Sequence, residues 1–171
     1  MINDPYVADD AVTQASERET LEGFLEYHRA VLVGKLRGLS EADVRRRLVP
    51  SRTTLIGLVQ HVIGVERNWF QHYLAERPRE EIDGDARGGA DSWEVAEDRT
   101  VADVVAELDA VWAVSRRIVA GMALDATVPH EVHGRVSVRW VLLHVNREYA
   151  RHIGHADILR EQTDGGTGDV G

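Results

Sequence analysis

Apolar residues recur at steps of three and four in four stretches of the chain, and no stretch of comparable length alternates at period two. The pattern predicts an all-α protein. The first helix, about 17–37, follows "SERE", in which Ser16 and Glu19 stand at capping-box spacing. Leu21, Phe24, Leu25, Val31, Leu32 and Leu36 make its apolar stripe, and Gly38 is placed to close it. "LSEADVRRRL" reads as a short helical turn before Pro50, after which the hydroxyls of "SRTT" open a second helix that runs to about Glu76. Thr100 caps the third helix, with Val101, Val104, Val105, Leu108, Val111, Trp112 and Ile118 on its inner face. Ser137 opens the fourth, which reaches about Gln162, and a little extended structure is expected around Val132–Val136.

Residues 77–99, "RPREEIDGDARGGADSWEVAEDR", are rich in Gly, Pro and charge. A segment this long can cross the end of a bundle, so the helices predict a four-helix bundle with a long crossover between helices two and three. The segment is read as a flexible surface loop, with a lid over any site as the alternative. No internal repeat is present. The expected organisation is an N-terminal arm over 1–16, one bundle domain over 17–162 and a disordered tail over 163–171, "TDGGTGDVG".

Composition narrows the function classes. At 171 residues the chain fits one domain, able to bury about 70% of its unfolded surface. It has no cysteine, so any metal must be held by His, Asp or Glu, and a thiol nucleophile would have to come from outside the chain. The net charge of −9, from 29 acidic and 20 basic residues, opposes nucleic-acid binding by counterion release. No stretch approaches the roughly 18 uncharged apolar residues of a membrane span, and the first residues lack the pattern of a signal peptide. The expectation is a soluble cytoplasmic protein.

Chemistry concentrates in "EYARHIGHADILRE", residues 148–161. With His144 at zero, Glu148 falls near 40°, His152 near 80° and His155 near 20° at roughly 100° per residue. Trp140, Val141, Ile158 and Leu159 fall in or beside the same sector, so the stripe is expected to face the bundle interior. Burying a carboxylate among imidazoles is costly without a partner, and a divalent cation would be one. Glu148 and His152, four apart, can grip one ion from a single helix. His61, in the middle of the second helix with Leu58, Val65 and Trp69 at core-facing steps, would complete two imidazoles and a carboxylate, a set suited to zinc, iron or nickel. The same residues admit a plainer reading, with His61 a satisfied core histidine and Glu148 paired to Arg147 or Arg151 on the surface. His155 could be a ligand, a group orienting a ligand, or a substrate contact, and His144 a structural or orienting group. His28, His72, His130 and His133 fit no usable spacing.

The second helix, "TLIGLVQHVIGVERNWFQHYL", and the fourth, "LLHVNREYARHIGHADILRE", resemble the DinB-like superfamily of four-helix-bundle metalloenzymes, nearest to its mycothiol-dependent maleylpyruvate isomerase-like branch. The resemblance covers about residues 17–162. Its specific parts are the single mid-helix histidine ahead of the aromatic "NWF" and the His-x-Gly of "RHIGHAD". It implies that His61, Glu148 and His152 bind a divalent metal, zinc first and nickel or iron as alternatives. Many members carry histidine where this chain has Glu148, as the isomerase branch does not, and His155 stands where many have glutamine.

The implied function is metal-dependent isomerisation or thiol transfer, with mycothiol or a similar small thiol as cofactor and a small electrophile as substrate. His155 would move a proton and Arg151 would anchor a substrate carboxylate, although pairing with Glu148 or with solvent has the better claim on Arg151. The alternatives are a metal-dependent hydrolase, a non-catalytic stress-associated binding module, and a structural helical protein without metal. A homodimer is compatible with such a bundle, but no stretch specifies it.

Overall fold

The computed structural model describes residues 11–167; most of the expected N-terminal arm, 1–10, and the end of the expected tail, 168–171, lie outside them. Four helices carry the fold: α1 (Glu17–Gly34), α2 (Leu55–Glu66), α3 (Val101–Ala120) and α4 (Val138–Asp164). A two-stranded antiparallel hairpin, β1 (Thr127–His130) and β2 (Gly134–Ser137), precedes α4. The protein is all-α in character, as its periodicity predicts.

Helix starts follow local chemistry. Ser16 with Glu19 and Thr100 with Asp103 form reciprocal capping boxes, while Thr54 and Ser137 accept from the backbone N–H groups of Gly57 and Trp140. Ends depart more from expectation. Helix α1 stops at Gly34, and tighter turns carry the chain to Gly38, whose φ of 76° suits only glycine well. The turn before Pro50 is a single 3-10 turn at Asp43–Arg45. Helix α2 continues to Leu74 as a π-helix over Arg67–Leu74, its widened turns ending in the Phe70 carbonyl to Ala75 N–H bond. The last turn of α4 reaches Asp164 and is closed by Gly165 at φ 77°.

Helix α1 packs along α4 and α2 along α3, with α2 also against α4. Helix α2 is the central element: apart from Gln60, all of its residues are buried. Two expected core residues are not in the core. Phe24 is 39% and Ile158 55% exposed, because the inner faces of α1 and α4 are narrower than their apolar stripes. The extended structure near 132–136 is the β2 half of the hairpin, with Val128 facing Val136 and both buried.

The core also contains a polar brace that draws one residue from each helix. Arg29 of α1 donates to Glu66 of α2 through Nε at 2.9 Å and Nη2 at 2.7 Å. Tyr149 of α4 donates its hydroxyl to Glu66 at 3.0 Å and accepts from the indole N–H of Trp112 of α3 at 2.8 Å. Burial pushes the Tyr149 hydroxyl well above its ordinary pKa, helped by the Glu66 charge. Since Tyr149 neighbours Glu148, the brace pins the rotation of α4 at the level of the residues singled out above.

Candidate metal centre

His61 of α2 and Glu148 and His152 of α4 converge, each offering one ligand-type atom within 4.8 Å of the others. His61 and His152 are 8% and 5% exposed and Glu148 is partly buried. The imidazole rings meet edge-on, 4.8 Å between centroids. Glu148 Oε2 lies 3.6 Å from His152 Nε2, close to the roughly 3.4 Å between two ligands of one tetrahedral cation at about 2.1 Å. Both ring nitrogens of His152 are buried with no hydrogen-bond partner. Leaving such atoms unpaired costs roughly 1–3 kcal/mol each, so the donor set fits a divalent cation that the protein surroundings do not replace.

The electrostatics favour a neutral, ligating state. Burial, followed by the facing His61, lowers the pKa of His152 to about 4 against the opposing charge of Glu148. Burial likewise lowers that of His61, against the charges of Glu148 and Asp85. At Glu148 burial works to raise the pKa, but the Arg147 hydrogen bond at 3.1 Å and the His144 and His152 rings outweigh it, so the carboxylate stays ionised.

The crossover is not a loose surface loop. Asp85 accepts from the N–H groups of Arg87 and Gly88, closing a turn that lies against α2. A short helix at Ala90–Trp93 follows, and Trp93 stacks on the His61 ring at 4.0 Å and 9°. Ser92 is buried and its Oγ lies 2.8 Å from His61 Nδ1. Two glycines admit this approach. A Cβ on Gly57 would sit 2.6 Å from the Trp93 carbonyl oxygen, and one on Gly64 2.8 Å from an Asp85 carboxylate oxygen. Gly57, His61 and Gly64 share one face of α2 by their four- and three-residue steps.

The model of the mycothiol-S-transferase family matches residues 20–165. The chain belongs to that family. The match runs from the first turn of α1 to the end of α4, so it takes in His61, the crossover, Glu148 and His152. No curated protein matches the sequence. Among the described residues, no helix is long and apolar enough to cross a membrane.

In this mycothiol-S-transferase family member two of the three convergent residues, His61 and Glu148, line a cavity of about 190 Å³ together with Trp69, Asn68, Arg87 and His144, while His152 lies outside the lining. A larger cavity, about 330 Å³ between α1 and α3, contains Arg29 and Glu26, already paired at 2.6 Å, and no convergent donor set. Beside the smaller cavity stands an aromatic wall. His144 packs 4.3 Å from Trp69 and stacks on Trp140 at 4.8 Å, and His130 stacks on Trp69, Tyr73 and His133. Two histidines without usable sequence spacing thus belong to a wall brought in by the hairpin. His144 also faces Glu148, Nε2 to Oε1 at 3.7 Å.

Arg151 and His155 are exposed, and neither lines this cavity. The His155 ring lies 5.5 Å from that of His152. Sequence reasoning missed Ser92 and Trp93; the signal available was the Gly-x-x-x-His-x-x-Gly spacing of α2, which marks a helix face open to close approach.

Proposed function

We propose that the protein is a divalent-metal-dependent thiol S-transferase, with His61, Glu148 and His152 as ligands and mycothiol or a similar small thiol as sulfur donor. The observation that carries the metal reading is His152, a buried imidazole with both nitrogens unpartnered beside a carboxylate and a second imidazole. Transfer is favoured over isomerisation by the family to which the chain belongs; the two-imidazole, one-carboxylate set suits zinc, nickel and iron alike, and zinc is taken first because the resemblance to the DinB-like superfamily implies it. A bound cation would supply Lewis acidity that lowers the pKa of a thiol brought to it.

The chain's own residues do the rest. His61, Glu148 and His152 would hold the ion, and the first two face the cavity. Trp69 and the crossover wall the cavity and limit water. The thiol proton leaves to a histidine near the site, His144 in the cavity wall or His155 a turn beyond His152. The sulfur then forms a bond to an electrophilic carbon, whose leaving group departs with the displaced electron pair. Arg87 lines the cavity and is placed to meet an anionic group on the electrophile, the role that the sequence suggests for Arg151.

The test is elemental analysis of untagged protein purified without chelator, beside His61→Ala, Glu148→Ala and His152→Ala. The expected result is about one divalent ion per chain, lost in all three variants, with thiol-dependent alkylation of a fluorogenic electrophile restored by that ion. Protein that neither carries nor takes up zinc, nickel or iron would overturn the reading.

A further inference from the structure

The hydroxyl of Ser92 sits between two groups of fixed polarity. Its Oγ is 2.7 Å from the carbonyl oxygen of Gly89 and 2.8 Å from Nδ1 of His61. A carbonyl only accepts, so the single hydroxyl proton is committed to Gly89. The contact to His61 can then be a hydrogen bond only if Nδ1 carries the proton and donates it to Oγ. That requirement holds whether the ring is neutral or charged. Were the hydroxyl turned toward the ring instead, two oxygens would face each other at 2.7 Å without a proton between them.

We infer that Ser92 is the positioning residue of the metal centre: the relay from His61 Nδ1–H to Ser92 to the Gly89 carbonyl holds His61 in the tautomer that presents Nε2 as the ligand atom. The inference rests on the reading of His61 as a ligand. A ligating imidazole characteristically donates its other nitrogen to a fixed acceptor, which sets ring orientation and raises basicity. Here the acceptor comes from the crossover, and Trp93, the next residue, stacks flat on the same ring. Both contacts fix the plane of His61, one at its edge and one at its face. The crossover is therefore a structural part of the centre, docked by Gly57 and Gly64.

The test compares Ser92→Thr, which keeps the hydroxyl, with Ser92→Val, which has the same shape without it. Zinc affinity is measured by competition with a chromophoric chelator, and the His61 tautomer by two-bond nitrogen–proton NMR correlations on zinc-free protein. The expected result is a zinc affinity about 10- to 100-fold weaker for Ser92→Val than for Ser92→Thr. The Nδ1–H form should dominate in the parent and in Ser92→Thr and become mixed in Ser92→Val. Equal affinities for the two variants, or an Nε2–H tautomer in the parent, would overturn the inference. If the parent binds no zinc at all, the metal reading fails, and the zinc-free tautomer measurement still decides the role of Ser92 in orienting His61.

Discussion

Arg29 and Glu66 form a two-nitrogen ion pair at 2.7–2.9 Å in the centre of the bundle, 2% and 0% exposed. Taking both charges out of water is expensive, so the pair acts as a lock rather than as a source of net stability. Glu66→Gln removes the fully buried countercharge of the guanidinium, leaving it only the more exposed Glu26 at 2.6 Å, and weakens the acceptor of the Tyr149 hydroxyl. The expected loss is about 3–5 kcal/mol by urea denaturation. The double variant Arg29→Met, Glu66→Met should lose less than the sum of the singles. Additive losses would show that the two residues do not work as a unit.

Tyr149→Phe tests the same brace from the other side. It removes a donor to Glu66 and leaves the buried Trp112 indole N–H without its acceptor. A loss of about 1–3 kcal/mol is expected, with a change in Trp112 fluorescence. Because the hydroxyl also sets the rotation of α4, zinc affinity should fall as well. An unchanged affinity would separate the brace from the site.

The architecture was legible because helix periodicity and caps are local. Ser16, Thr100 and Ser137 mark helix starts by chemistry within three residues of themselves, and the i, i+4 spacing of Glu148 and His152 already places them on one face. What stayed hidden depends on contacts distant in sequence. The brace joins Arg29, Glu66, Trp112 and Tyr149, each of which alone reads as a surface charge or a core aromatic. The crossover looked flexible because Gly, Pro and charge dominate it, yet Ile82, Ala86 and Ser92 within it are buried. Exposed Phe24 and Ile158 show the opposite error, since periodicity gives a stripe but not the width that its neighbours cover. The π-helical end of α2 has no compositional mark in "RNWFQHYL" from which it could have been read.

Metal removal should lower stability by mass action. With zinc at about 100 times its dissociation constant the gain is about 2.7 kcal/mol, or roughly 5–10 °C in Tm for a domain of this size. Chelated parent protein should lose this increment in scanning calorimetry, and His152→Ala should show none to lose. In the chelated state His152→Ala is expected to be close to neutral, because losing two unpartnered buried nitrogens offsets the lost packing. A zinc-dependent rise in Tm of the same size in His152→Ala would remove that residue from the ligand set.

Glycine substitutions in two helices should act in opposite directions. Gly57→Ala places a methyl 2.6 Å from the Trp93 carbonyl and 2.8 Å from Thr54 Oγ1. The crossover must shift, at an expected cost of about 1–3 kcal/mol, even though alanine is the better helix former. Gly154, inside α4, has nothing within 4 Å of a built Cβ, so Gly154→Ala should gain about 0.5–1 kcal/mol. Thermal unfolding of the two variants checks the contrast. Weaker zinc binding in Gly57→Ala would follow from displaced Ser92 and Trp93.

If the protein transfers a thiol as proposed, His144 and His155 are the two candidates to take its proton, and their positions predict which one matters. His144 lines the cavity, stacks on Trp140 and faces Glu148 at 3.7 Å. Burial lowers its pKa, and the Arg147 charge lowers it further. It therefore stands beside the site as a neutral base. His155 is exposed on the next turn beyond His152, outside the cavity lining. Measured per bound metal, His144→Ala should lower kcat for thiol alkylation by about 100-fold or more, the range of a general base beginning there, while His155→Ala stays within about threefold. Metal content of both variants should remain near that of the parent, since neither residue belongs to the proposed ligand set. The reverse pattern, a large kcat loss in His155→Ala alone, would assign proton transfer to His155 and leave His144 as a wall of the cavity.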